Sequence, residues 1–362
     1  MSKIGLALKA FFKQKSTLIG IVTALMFQLV FSLVWMTGYN GVSSKIGKIE
    51  LAAVIEDEAA SNLFKSFVSQ MPFSVSVIES LSEAEAQLTN RDVHLVMRIP
   101  QGFLQAVQER GIAEIEFLIN ESNPVMLKGT TEAIAVQLTN QLNQLLADSD
   151  SKPITANVQS LNPVGNFADQ MAPLMIVIAS YVGATVMGMN MHQSASTVLG
   201  HVGRWPLYMA WALINIGSAL FIALTGTVLI HWLGSGIEQG FLVMWAFQSL
   251  FLVAFMFVSH LFVIVFGLPG MLFNIAMLSV QLVASGAMVP RELLPDSFRT
   301  ISEFLPATHA VEGSMNILFG GPSPGQASLS LALFIAVAVV IAGCVVAWRR
   351  EKNPSLAVDA IR

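Results

Sequence analysis

The chain has 362 residues, of which 12% are charged and 54% belong to the hydrophobic set, against roughly 25% and 45–50% in water-soluble domains. Its net charge of −4 includes no basic, aromatic-interleaved face, so nucleic acid is excluded as a partner. The lone cysteine, Cys344, rules out an intrachain disulfide framework, and a folded domain here depends on its own core.

In chain order, residues 1–17 read as a cytoplasmic amphipathic helix. Ile4, Leu8, Phe11 and Phe12 lie along one side and Lys3, Lys9, Lys13 and Lys15 flank it, a pattern suited to anionic lipid or to a docked cytoplasmic partner. Residues 18–39 form the first hydrophobic span, a retained anchor, since the apolar run is longer than a signal-peptide core. Residues 40–170 are polar and have the composition of a folded water-soluble domain.

Within that block, segments alternate in type. Residues 49–55, 73–78, 93–99 and 113–119 carry strand patterns, the last alternating apolar with acidic side chains. Residues 59–70, 82–88, 102–109 and 125–146 are helical, and Ser82 precedes Glu85 by the spacing of a capping box. The order predicts a small α/β or α+β module. Glu56, Asp57 and Glu58 read as a solvated turn at a strand end, and no metal-ligand spacing or catalytic constellation is visible.

From residue 171 to 348 five more spans follow, at 171–191, 206–232, 241–266, 271–289 and 329–348, each near the length that crosses a hydrocarbon core of ~30 Å. No Lys or Arg occurs between Lys152 and Arg204, or between Arg204 and Arg291. The fold class is therefore an α-helical integral membrane protein with six transmembrane helices in a 1+5 layout and an extracytoplasmic domain between helices 1 and 2. The positive-inside rule places the N-terminal lysines in the cytoplasm, and the tail 349–362 with Arg349, Arg350, Lys352 and Arg362 on the same side. Residues 192–204 become a short inner loop, 267–270 a tight turn, and 291–325 two short outer interfacial helices split by Pro306.

No GxxxxGK[ST] loop occurs, so the chain is not itself a P-loop ATPase. Between residues 171 and 289 the acidic side chain is Glu238, in a short outer loop, and His260 reads as a packed or hydrogen-bonded histidine. Asn215, Gln248, Asn274 and Gln281 fall at membrane depth. They serve either as interhelical hydrogen-bond partners or as groups along a translocation path. Ala179–Gly183 and Ala184–Gly188 are small pairs that permit close helix approach or dimer contact. Pro290, Leu294, Pro295, Pro306, Thr308 and His309 mark an outer rim.

The run Phe266-Gly-Leu-Pro-Gly270, followed by Gln281-Leu, Ser285-Gly286, Pro290, Leu293-Leu-Pro295, Leu305-Pro-Ala-Thr-His309 and Gly320-Gly321, resembles the C-terminal half of the Pip/YhgE-like (phage-infection-protein-like) branch of the type-2 ABC transporter permeases. Ala53-Val-Ile-Glu-Asp57 and Arg98-Ile-Pro-Gln-Gly-Phe103 are similar to steps in that family's outer domain. The resemblance covers nearly the whole chain and implies a multi-pass subunit of the bacterial plasma membrane, paired as a homodimer or with a second permease. It also implies a separate ABC ATPase that uses ATP and Mg, with no cofactor bound by this chain. Coupling to that ATPase falls on Ile4, Leu8 and Phe11 with Ser194, Ser196, Thr197, His201 and Arg204. The loop carrying the last five lacks the Glu/Arg-rich pattern of many relatives, and the compact outer domain is closer to drug or lipid export permeases.

Two functions remain. The first is a non-enzymatic permease subunit exporting an amphiphilic or hydrophobic substrate, surrounded by membrane lipid. The second is a membrane-anchored surface receptor or assembly scaffold, for which six spans are more than an anchor needs.

Overall fold

The computed structural model describes residues 42–110, 112–146, 154–164, 167–202, 204–234, 236–267 and 269–348. The N-terminal helix, the first span and the C-terminal tail read from the sequence lie outside them, Ile4, Leu8 and Phe11 included.

The polar block folds around a five-stranded sheet of order β2-β1-β3-β4-β5. Its strands are β1 (Glu50–Ile55), β2 (Ser74–Val77), β3 (Leu95–Ile99), β4 (Ala113–Asn120) and β5 (Ile154–Leu161). β1 pairs in parallel with β2 and β3, β3 antiparallel with β4, and β4 in parallel with β5. Side chains alternate between faces with the period of two that a strand imposes. Leu51, Leu95, Met97, Ile115 and Phe117 point to one face, under α1 (Ser61–Ser69), α3 (Phe103–Arg110) and α4 (Val125–Leu146). Ala52, Val54, Val96 and Leu118 point to the other, where α2 (Leu81–Asn90) supplies Ala84 and Leu88. The α2 helix starts at Leu81 after Ser80, one residue before the predicted start.

The acidic turn is not simply solvated. Asp57 is buried, with Oδ1 accepting from the Ala59 amide at 2.9 Å and Oδ2 from the Leu104 amide at 3.0 Å. Glu56 and Glu116 both receive the Arg98 guanidinium, at 2.9 and 2.7 Å. These bonds fix the turn after β1 to the start of α3.

β5 was not anticipated. It is an edge strand whose burial is confined to Ile154 and, in part, Asn157 and Leu161, with Val158 exposed, so it lacks the apolar alternation of a half-buried strand.

The apolar half is helical: α5 (Phe167–Val202), α6 (Arg204–Leu233), α7 (Phe241–Phe266), α8 (Gly270–Ala284), α9 (Asp296–Ser302), α10 (Pro306–Phe319) and α11 (Gly325–Trp348). Four helices among the described residues, α5, α6, α7 and α11, are long and apolar enough to cross a membrane. α7 is the central one, with 56% of its span window buried against 17–39% for the other three. Phe247, Phe251 and Phe255 run down it in successive ring contacts of 5.8 and 5.5 Å, and Tyr181 of α5 meets Phe255 edge-on at 5.3 Å. Outward positions such as Leu213, Phe221, Leu333 and Val340 stay exposed, as lipid-facing side chains do.

Three expectations are corrected here. The expected loop 192–204 is helical over 192–202, where α5 continues to Val202, and α6 begins at Arg204. Gln193 to Leu199 contain neither Pro nor Gly to break the helix. The expected span 271–289 is helical only through Ala284, a 15-residue helix about 22 Å long at 1.5 Å per residue. Past it, Val125 and Met126 donate their amides to the carbonyls of Ala287 and Met288 at 3.3 and 3.1 Å, drawing the chain into the sheet domain. Finally, α10 is not an interfacial helix. Pro306, Ala307, Thr308, Val311, Gly313 and Ser314 are all buried, because α10 inserts among α5, α7 and α11 at the end of the bundle next to the sheet domain. α9, by contrast, leaves Ile301 exposed.

Candidate functional site

Asn215, Gln248, Asn274 and Gln281 are all buried, and each makes its own contact. Thr227 of α6 donates to Gln248 Oε1 of α7 at 2.9 Å. Asn274 of α8 donates from Nδ2 to the Ser259 carbonyl at 3.1 Å, and its Oδ1 receives the Tyr181 hydroxyl at 3.4 Å. Gln281 Oε1 accepts from the Ala307 amide at 3.1 Å, fastening the end of α8 to the first turn of α10. Asn215 turns back on its own helix, donating to the Trp211 carbonyl at 3.1 Å. Three of the four thus join different helices, as expected where lipid offers polar atoms no alternative partner. They do not gather into one chamber.

His260 is buried with its ring 3.9 Å from that of Trp211, centre to centre. Ala184 and Gly188 face the same region: a Cβ on Gly188 would stand 3.7 Å from Ser259 Oγ and from His260 Nδ1. The small residues of α5 therefore serve the α5–α7 contact on this side, while Ala179 and Gly183 remain exposed.

At the end of the bundle away from the sheet domain, α5 and α6 meet. α5 has 36 residues, about 54 Å at 1.5 Å per residue, and the hydrocarbon core is ~30 Å thick. α6 has 30 residues, about 45 Å by the same rise. Both helices are longer than that core is thick. Ser194 is exposed there, with its hydroxyl on the Asn190 carbonyl at 3.0 Å, and Ser196, Thr197 and His201 continue the same helix to the start of α6 at Arg204. Trp205, Tyr208 and Trp211 follow in a chain of ring contacts at 6.3 and 5.9 Å, the aromatic composition of a membrane–water boundary.

At the domain end, most of the residues expected to form a rim are buried. Leu294 is 0% exposed within the core of the sheet domain, beside Leu293 and Val289. Pro290 and Thr308 are buried and Pro295 half-buried. His309 lies 3.2 Å from the Glu303 carbonyl through Nε2. Sequence patterning missed this shared core because Leu293-Leu294 reads equally as a membrane-interface pair. Between α5, α6 and α10 an apolar groove of about 280 Å³ opens, lined by Ala172, Ile176, Leu229, Leu233 and Leu318, with Asp169 at its edge. Among the described residues no cluster of His, Cys, Asp or Glu is placed to hold a metal ion.

A bundle of apolar crossing helices carrying a folded polar domain at one end defines an integral membrane protein of the multi-pass kind. The chain belongs to the ABC-2 family of transporter proteins, whose description matches residues 15–344. It is also similar to the uncharacterized protein YhgE of Bacillus subtilis (strain 168), with 25% identity over 172 residues, 47% of this chain and 22% of that protein. The chain thus matches about a fifth of that relative's length. No solved structure matches. Family membership makes the chain a membrane transport component.

Proposed function

We propose that the chain is the permease subunit of an ATP-driven exporter that moves an amphiphilic or hydrophobic substrate out of the cytoplasm or the inner leaflet. The observation that carries this reading is the overlong α5–α6 pair. Both helices exceed the length a bilayer requires, and in this reading the end they share faces the cytoplasm, where the ATPase engages it. In this reading the chain crosses the membrane six times, the sheet domain lies outside, and both termini are cytoplasmic at the bacterial plasma membrane. ATP and Mg are used by the partner, and the permease works as a homodimer or with a second permease.

Support for an amphiphilic cargo comes from the apolar groove with Asp169 at its edge, together with spans free of Lys and Arg between Arg204 and Arg291. Asn215, Gln248, Asn274 and Gln281 act by holding the helices that bound the path. Ser194, Ser196, Thr197, His201 and Arg204, with Ile4, Leu8 and Phe11, receive the ATPase.

The test is affinity capture of the full chain in gentle detergent, with mass spectrometry and an ATPase assay. A stoichiometric P-loop ATPase is expected, released when Ser196, Thr197 and His201 are replaced together by aspartate. A clean preparation without ATPase, under conditions that preserve a control transporter, would favour a receptor or scaffold.

A further inference from the structure

The last four carbonyls of a helix have no partner within it, and α10 finds partners for three of its own in residues 238 and 239, between α6 and α7. The Glu238 amide donates to the Leu318 carbonyl at 3.3 Å and the Gln239 amide to the Ile317 carbonyl at 3.0 Å. The Gln239 side chain donates from Nε2 to the Asn316 carbonyl at 3.0 Å and to that of Gly321 at 3.2 Å. One short segment therefore closes the end of α10. The same parts form a wall of the apolar groove, since Gly236, Leu318 and Phe319 all line it.

The sheet domain reaches this joint through one side chain. Arg91 follows α2, donating one Nη to Asn316 Oδ1 and the other to Ser122 Oγ. Asn316 is buried, and Gly321 packs against it so closely that a Cβ there would stand 2.9 Å from its Oδ1. Arg91 holds φ at 65°, the left-handed conformation that helix ends usually give to glycine. Another residue persists there where surrounding contacts hold it, and the guanidinium bonds are such contacts. Gly236 and Gly240, on either side of residues 238 and 239, have φ of 127° and 94°, a range open to glycine and strained for other residues. They are placed to absorb a rotation of the segment between them.

We propose that Arg91 is a strap: through Asn316 the sheet domain holds the end of α10 against residues 236–240, and release of Asn316 lets that segment swing on its two glycines and widens the groove. The bonded arrangement is the closed state. A guanidinium bond is stronger than one between neutral groups, yet Arg91 is only half-buried, so water can replace Asn316 without unfolding of the sheet domain. The role of the groove rests on the export reading. The strap itself is tested on the chain alone, without an ATPase, so its failure leaves that reading standing.

The experiment is hydrogen exchange on the full chain in phosphatidylcholine nanodiscs, read at the amides of Glu238 and Gln239, which are themselves the donors to α10. Arg91→Met should speed their exchange at least tenfold while β1 and β3 keep the protection of the parent chain. Asn316→Leu, which cuts the same link without touching the sheet domain, should do likewise. The double variant should be no faster than either single one, because residues acting through one bond are not additive. Opening is read separately with Leu318→Cys in a Cys344→Ser chain. Leu318 is buried on the groove wall, and Arg91→Met should raise the rate of maleimide labelling there at least fivefold. The proposal is overturned if exchange at residues 238 and 239 is unchanged in both single variants, if it rises equally across the sheet domain, if the two effects multiply, or if labelling stays as slow as in the parent.

Discussion

Lys45 donates from Nζ to the carbonyl of Leu294 at 2.7 Å, joining the 3₁₀ turn before β1 to the chain that leaves α8. The bond closes over a shared core: Leu293, Leu294 and Val289 come from the membrane half, yet they pack with Ile49, Phe64 and Phe103 of the sheet domain. The sheet domain is therefore part of the same packed body as the segment that follows α8.

Leu294→Ala should cost about 2–5 kcal/mol, the usual range for truncating a buried leucine. The expected signature in hydrogen exchange is loss of protection both in β1 and β3 and in the segment 288–298. Loss confined to the segment alone would mean the two halves do not share a core.

Gly313 of α10 lies so close to α7 that a Cβ there would fall on the Phe247 ring. Gly313→Ala is expected to destabilise by about 1–3 kcal/mol, as overpacking of a filled core does. Pairing it with Phe247→Leu should recover most of that loss in thermal unfolding. Simple loss of helix-terminal flexibility would not be rescued in this way.

The Thr227–Gln248 bond gives a measure of what polar groups contribute in the bundle. A double-mutant cycle with Thr227→Val and Gln248→Leu should return a coupling of about 0.6–2 kcal/mol. A coupling near zero would show that α6 and α7 are held by packing alone.

His94 sets a pH dependence with a definite sign. Burial lowers its folded-state pKa from the model-compound value of 6.5, so the unfolded chain takes up a proton that the folded chain refuses. The contribution is fully present above pH 6.5 and is lost as pH falls through that value toward the lower folded one. Melting temperature should drop in this window, and His94→Gln should flatten the drop relative to the parent chain.

Much of the architecture was legible from local pattern. The strand–helix alternation of residues 49–146 follows from periodicities of two and 3.6, and the apolar runs near 171–191, 206–232, 241–266 and 329–348 each sit within a helix long enough to cross a membrane. β5 escaped because an edge strand buries too little to impose alternation. The continuation of α5 to Val202 escaped because a run of Ser, Thr and Gln fits a loop as well as a helix, and local pattern does not choose between them.

By itself, the sequence determined that this chain lives in a membrane, that it carries one folded polar domain, and that it contains no P-loop of its own. Those properties depend on composition and on nearest-neighbour spacing along the chain. Tertiary structure alone decided that α8 stops short and passes its tail into the sheet domain, that α10 is buried, and that Arg91 and Asn316 meet across the seam. Such contacts join residues far apart in sequence, where the choice between lipid, water and protein as neighbour is made by packing.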